Sequence, residues 1–403
     1  MKKYIFVGLL IFSFLFLRLW RIEERVNFSM DQGMFLLRAK EIWDDKELTL
    51  LGPTASPVVD NKQFFQGPAI YYSLIGVMLL SSWDPIRASI IMVILSGVGV
   101  VFLYLWAKIV AGRRAAAMAV TIATFLTWHI RYSNFLWNPN FLLLLTPVFG
   151  WLAAKSEKAK KWIWFWGSGL VLGLMLQYHY QVGIIVGGYL GYLIFKKTGL
   201  KDLVAVAVGA GVGYLPIIVF ELRNNFYNSR IIFQWIVKGG SDTNISFHYF
   251  LVLMPFILVL TGAILNKLNR VIVSSAIAIL IGVSVYSVVW ENQAWGMPKG
   301  WNYKKLEKAA NIVENQAGEN FNIVNLLSGD TRFYSLRYIL EIKGRIPRKV
   351  SEYENVDQLF LVGEDSGLEV ANELWEAATF NDADLVEKWN FGDGIFLHEF
   401  VKQ

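Results

Sequence analysis

Stretches of apolar residues uninterrupted by any charge recur along this chain from Tyr4 to Trp290 and then stop. In a bilayer the backbone has no water to pair with, so runs of this kind are read as membrane-spanning helices. Composition agrees: of 403 residues 55% are hydrophobic and only 17% charged, a balance that ordinary soluble domains do not have. After Trp290 the Lys, Glu, Asp and Asn return. The expected architecture is a polytopic α-helical membrane domain over residues 1–290 and a small soluble α/β domain over 291–403. The chain has no cysteine, which excludes disulfides, thiolate metal sites and a cysteine nucleophile.

Met1-Lys2-Lys3 leads straight into YIFVGLLIFSFLFL without a small-residue cleavage site. We read this as an uncleaved first span, with Arg18, Trp20 and Arg21 as its interfacial anchor. Candidate spans are 4–19, 87–109, 115–130, 139–154, 162–178, 180–195, 203–220, 249–266 and 271–290, several of them near the short limit for a crossing. A tenth apolar piece, PAIYYSLIGVMLL at 68–80, is shorter still. The basic clusters decide how to count it. Lys2/Lys3, Arg113/Arg114, Lys155 to Lys161, Lys196/Lys197/Lys201 and Lys267/Arg270 all fall on the cytoplasmic side only if 68–80 does not cross. It is therefore expected to be a re-entrant or juxtamembrane helix. About nine spans follow, in a multi-pass cell-membrane protein with a cytoplasmic N-terminus and an extracytoplasmic C-terminal domain. The excess of basic residues reads as this topology signal, not as a nucleic-acid surface.

With that orientation the external segments are 20–86, 131–138, 178–181, 221–248 and the residues after 290. They carry SMDQG, FFQGPAIYY, RYSNFLWNP, YHYQ and ELRNNFYNSR, whereas the cytoplasmic loops are short and simply basic. This asymmetry points to a functional site at the outer membrane boundary. Each residue has two readings. Asp31 either caps the helix beginning at FLLRAKEIW or acts as a general base toward an acceptor hydroxyl. Arg87 and Arg131 either snorkel to lipid headgroups or hold a phosphate. Asn138 either opens a helix before Pro139 or lines a sugar pocket. His179 is a structural hydrogen-bonder or a catalyst. Glu221 and Arg223 form an ordinary interfacial pair or contact substrate. Tyr71, Tyr72, Trp137, Tyr178 and Tyr180 suit an aromatic belt as well as stacking on sugars.

The order of these motifs resembles the GT-C glycosyltransferases, in the branch of protein O-mannosyltransferases and lipid A aminoarabinose transferases (glycosyltransferase family 39 type). The resemblance covers about residues 1–290: a first span, a long external loop opening with SMDQG, then QGPAIYY, a span beginning PIRAS, the turn AGRRAAA, RYSNFLWNP and LMLQYHYQ. It implies an inverting transfer of sugar from a polyprenyl-phosphate donor to a glycan, lipid or protein acceptor, with Asp31 as base. Relatives usually carry a second acid after the first and another in the second external loop. Here those positions are Gln32 and Asn138, which weakens the case for a hard divalent cation; metal independence and no cofactor are expected. The Lys-Pro-Pro that often precedes the Tyr pair is Gln66-Gly67-Pro68, leaving Lys62, Arg87 or Arg131 to meet the donor phosphate. The competing classes are a lipid or glycolipid transporter or flippase, and a non-catalytic membrane scaffold. Transporters place ionisable groups at mid-membrane and repeat internally, whereas here the charges gather at external span ends.

In the C-terminal region NYKKLEKAANIVENQ, TRFYSLRYILEIKG and NELWEAATF are expected to be helical, and FNIVNLL, DQLFLVG, DLVEKWNF and GIFLHEF extended. Asp330, Glu364 and Asp365 read as surface turns there.

Overall fold

The structure is a computed structural model that describes residues 2–238, 247–291, 293–365, 374–380 and 383–402. It divides into two compact units. The first comprises Met1–Trp20, Ile42–Ser81 and Arg87–Val289; the second comprises Arg21–Glu41, Ser82–Ile86 and Trp290–Gln403. The break at residue 290 thus coincides with the change in composition. Two pieces of the segment 20–86, however, Arg21–Glu41 and Ser82–Ile86, fold with the C-terminal residues.

The first unit is built of helices, with one β-hairpin. Lys2–Leu19 is helical, and Arg18, expected at an interface, is instead 0% exposed. Its guanidinium donates to the backbone carbonyls of Phe14, Ala123 and Thr124 at 3.1 Å and lies 2.9 Å from His129 Nδ1. A cation at that depth is held by carbonyl dipoles, and here it ties the first helix to the end of Pro85–Phe125. That 41-residue helix is broken at Gly112 (φ 89°), immediately before Arg113-Arg114, which separates the expected spans 87–109 and 115–130. The expected span 203–220 is also broken: Leu200–Gly213 and Leu215–Arg223 meet at 73°, with Pro216 in the first turn of the second piece. Proline has no N–H and clashes with the preceding turn, so the bend falls there.

By length and composition, among the described residues, Pro85–Phe125 and Arg270–Val289 can cross a membrane, and the bent pair makes a third. The helix Ala69–Leu80 has 12 residues, which at 1.5 Å each span roughly 18 Å, short of about 30 Å of hydrocarbon.

The closest helix pair is Trp162–Tyr178 with Leu200–Gly213. A Cβ at Gly169, Gly173, Gly209 or Gly213 would sit on a carbonyl oxygen of the facing helix. Glycines four residues apart let two backbones touch where lipid supplies no hydrophobic drive. The hairpin pairs β1 (Thr54–Val59) with β2 (Lys62–Phe65) through Asp60 and Asn61, both at positive φ. This is the two-residue turn whose twist matches the strands. The sequence reading did not foresee it.

In the second unit β3 (Phe321–Asn325), β4 (Gln358–Glu364), β5 (Asp384–Asn390) and β6 (Ile395–Val401) form a sheet of order β3-β4-β6-β5. The β3–β4 pair is parallel and the others antiparallel. Tyr303–Gln316 packs Leu306, Ala309, Ala310 and Val313 inward at helical spacing, capped by Asn302, whose side chain accepts from Lys305 N at 3.0 Å. Tyr334–Ile342 connects β3 toward β4. The expected helix at 372–380 is not what forms in its described part: residues 374–377 are a bend and turns, and Ala378–Phe380 is one short 3-10 turn. Residues 372 and 373 lie outside the described residues. Asp330 is not a surface turn but is 6% exposed, whereas Glu364 and Asp365 are exposed.

Candidate functional site

In the second unit the helix Met30–Asp45 opens with Ser29 as its cap. Gln32 Oε1 accepts from the Ser29 backbone N–H at 3.0 Å and from its hydroxyl at 2.9 Å, the reciprocal half of a capping box. Gln32 is thereby buried and engaged in holding the helix start. Asp31 stands in the first turn, half-buried, where the partial positive charge of the N-terminus favours an anion. Two residues on, Gly33 lies against the backbone of Tyr334 and Ser335, where a Cβ would overlap both. Asp330 is fixed at this crossing: its Oδ2 accepts from Tyr334 N at 3.0 Å, so it caps Tyr334–Ile342. Burial pushes the Asp330 carboxyl up to about 6 and the Asp31 charge adds to this. Backbone N–H groups of Tyr334 and Phe333 and the Arg337 guanidinium oppose it. Arg337 in turn donates to Tyr353 Oη at 3.0 Å and to Asn322 Oδ1.

In the first unit the expected site segments converge on a buried polar knot. Asn138 Nδ2 donates to Gln66 Oε1 at 2.7 Å and to the Tyr178 carbonyl at 3.1 Å, joining the RYSNFLWNP segment to the Gln66-Gly67-Pro68 segment and to the end of Trp162–Tyr178. Gln177 Oε1 accepts from Ala69 N at 3.3 Å, and its Nε2 donates to the Gly213 carbonyl at 2.6 Å, at the break of the bent pair. The Gly67 N–H donates to the Gln177 carbonyl at 2.9 Å. The Ser73 and Tyr178 hydroxyls pair directly. Beyond Gln66, Asn228 acts as a surrogate strand toward Phe65, accepting from its N–H at 2.9 Å and donating to its carbonyl at 3.0 Å. Glu221 accepts from the backbone N–H of Asn228 (2.9 Å) and Ser229 (3.1 Å), at the start of Tyr227–Val237.

The remaining expected residues are placed more loosely. Tyr72 Oη accepts from Thr49 N and donates to Thr49 O, both at 2.9 Å, while Tyr71 is buried. The His179 ring meets His248 (6.0 Å) and Tyr249 (5.7 Å), and His248 meets Trp137 at 4.6 Å. Lys62 begins β2, exposed; Arg87 is exposed near the start of Pro85–Phe125; Arg131 is half-buried on Thr127–Tyr132; Arg223 is exposed at the end of its helix. The structure therefore joins Asn138 and Glu221 through Gln66, Phe65 and Asn228. The sequence reading missed Gln177, Asn228, Arg18 and His129. Of these, only Arg18 carried a sequence signal, a charge within an apolar run. Among the described residues no group of three His, Asp or Glu side chains is arranged to hold a metal ion.

Residues 66–220 match the family described as dolichyl-phosphate-mannose-protein mannosyltransferase. No curated protein sequence matches the chain. Among solved structures it resembles ArnT from Cupriavidus metallidurans in the apo state, with a TM-score of 0.65 and 12% identity over 99% of this chain and 98% of that one. It also resembles the same protein bound to undecaprenyl phosphate, with a TM-score of 0.62 and 11% identity over the same shares. At these identities the likeness establishes the fold, and that fold runs the length of both chains.

Proposed function

We propose that this membrane glycosyltransferase of the GT-C superfamily transfers a sugar from a polyprenyl-phosphate donor to an acceptor hydroxyl, with inversion, at the external face. The observation that carries the reading is the end-to-end correspondence with ArnT, a protein also solved with undecaprenyl phosphate. In the step itself the acceptor oxygen attacks the anomeric carbon and the bond from that carbon to the phosphate oxygen breaks. The electron pair leaves with the polyprenyl phosphate, and the acceptor proton passes to the Asp31 carboxylate. Phosphate is already a good leaving group, so a base, cations and positioning suffice. Lys62, Arg87 and Arg131 are the candidate cations, and Tyr71, His179 and Arg223 candidate contacts to the donor. Asp31 is supported as base by its place in the first turn of Met30–Asp45, where the helix N-terminus favours the carboxylate form. The hydrogen bonds of Gln32, Tyr72, Asn138 and Glu221 favour for them the holding of loops around the site.

The nine-span topology, with a cytoplasmic N-terminus and Ala69–Leu80 not crossing, is supported by the break that precedes Arg113-Arg114 and by the basic clusters that this count gathers on one side. Metal independence is supported by the amides at positions 32 and 138, which leave few anionic oxygens for a hard cation. The test is movement of label from radiolabelled polyprenyl-phosphate sugars into an envelope extract, with and without EDTA. Transfer that survives EDTA is expected. Label remaining on every lipid donor overturns the function, and loss of transfer in EDTA overturns metal independence alone.

A further inference from the structure

Between the helices Pro85–Phe125, Leu142–Ala159, Val182–Phe195 and Met254–Leu265 lies a cavity of about 750 Å³, lined by residues of the first unit and within the size range of ligand sites. Trp106, Phe149 and Phe256 make its walls apolar. Val110 and Ile184 also line it and are exposed, so it opens on the lipid-facing surface of the helices. Its polar end is formed by Glu157 and Lys158, close to the end of Leu142–Ala159, and by Tyr192 near the end of Val182–Phe195. Three basic clusters gather there. Val110 stands three residues before Arg113-Arg114, Lys158 belongs to the run Lys155 to Lys161, and Lys196 Nζ lies 5.7 Å from the Tyr192 ring. Glu157 is engaged by Lys160 at 3.1 Å, so the balance of charge at this end is positive. In the wall, Gly188 leaves the room that a side chain would take: a Cβ there meets nothing within 4 Å.

We propose that this cavity holds one anionic glycerophospholipid, with a hydrocarbon chain along the apolar walls and the phosphate against Lys158. In a bilayer the molecule with those two parts is an anionic phospholipid, and basic pockets between membrane helices are where such headgroups are held. The Lys158 ammonium supplies a charge-assisted contact to the phosphate, and the Tyr192 hydroxyl a second donor. In the proposed topology the basic clusters mark this as the cytoplasmic leaflet. The polyprenyl-phosphate donor belongs elsewhere. The polar knot of Asn138 lies beyond the opposite end of Leu142–Ala159, whose 18 residues make roughly 27 Å of helix. The inference rests on the first unit being embedded in a membrane, and not on the transfer reaction or on Asp31.

The experiment is native mass spectrometry of the full-length protein, purified in neutral detergent and offered dioleoylphosphatidylglycerol or dioleoylphosphatidylcholine at equal concentration. Wild type, Gly188→Phe, Gly188→Leu and Lys158→Gln are compared, each first shown to elute as a single folded species. The expected result is one phosphatidylglycerol retained in preference to phosphatidylcholine, with retention about fivefold weaker in Lys158→Gln and lost in both glycine variants, whose new side chains fill the wall. Either glycine variant decides the matter if the other fails to fold. Equal retention of the two lipids by wild type, or undiminished retention by Lys158→Gln, overturns the phosphate contact. Retention unchanged in the folded glycine variants overturns the site. Displacement of the phosphatidylglycerol by an equal amount of undecaprenyl phosphate assigns the cavity to a polyprenyl chain and overturns the phospholipid. Sugar transfer is not read, so failure here leaves the proposed function standing.

Discussion

At the scale of single residues, the local chemistry separates groups that hold the fold from the group proposed to react. Gln32 accepts from the backbone N–H and the hydroxyl of Ser29 at the start of Met30–Asp45, and the Asp31 carboxylate beside it is the proposed base. Asp31→Asn keeps size and helix propensity nearly constant while removing the base, and is expected to lower kcat by about 10²–10⁴-fold with little change in melting temperature. Parallel initial rates and thermal unfolding in detergent check this, and an unchanged rate rejects the assignment. The S-x-x-Q spacing of that capping box was legible in the sequence. The roles of Asn138 and Glu221 were not, because their partners, Gln66 and the Asn228–Ser229 backbone, come from other segments. Asp330 reads as a turn residue because the group that engages it, the Tyr334 N–H at the start of Tyr334–Ile342, is set by how the chain folds there.

Helices and strands were more legible where one segment decides its own form. The alternation after Trp290 gave the four strands among the described residues there and the helices Tyr303–Gln316 and Tyr334–Ile342, because an amphipathic pattern records which face is buried. The hairpin at Thr54–Val59 and Lys62–Phe65 was missed although Asp60-Asn61 is a turn signal, since one strand carries a proline and the second is four residues long. The breaks at Gly112 and before Pro216 follow from residues that cannot continue a helix. Ala69–Leu80 carries the most consequence, because counting it as a span inverts every later loop. A reporter fused after Lys161 is expected to read cytoplasmic; an external reading would show that this helix crosses or that another expected span does not.

For the molecule as a whole, composition made the membrane part plain, while the packing that builds it is invisible to hydropathy. The glycine contacts of Trp162–Tyr178 with Leu200–Gly213 set Gln177 beside the break at Gly213. From there Ala69, Gly67 and Tyr178 are brought to the same polar knot. The membership of residues 21–41 and 82–86 in the second unit was not legible in the sequence. It depends on packing such as Phe28 against Tyr303 and Tyr338, and on the hydrogen bond from Tyr338 Oη to the Trp83 carbonyl at 2.8 Å. The central claim is that the donor is a lipid-linked sugar whose phosphate stays with the lipid. The most direct measurement supplies the reconstituted protein and an acceptor extract with one labelled sugar, carried either on polyprenyl phosphate or on a nucleotide. Transfer from the lipid donor alone, with free polyprenyl phosphate released in equal amount, is the predicted result; transfer from the nucleotide donor without lipid carrier would contradict it.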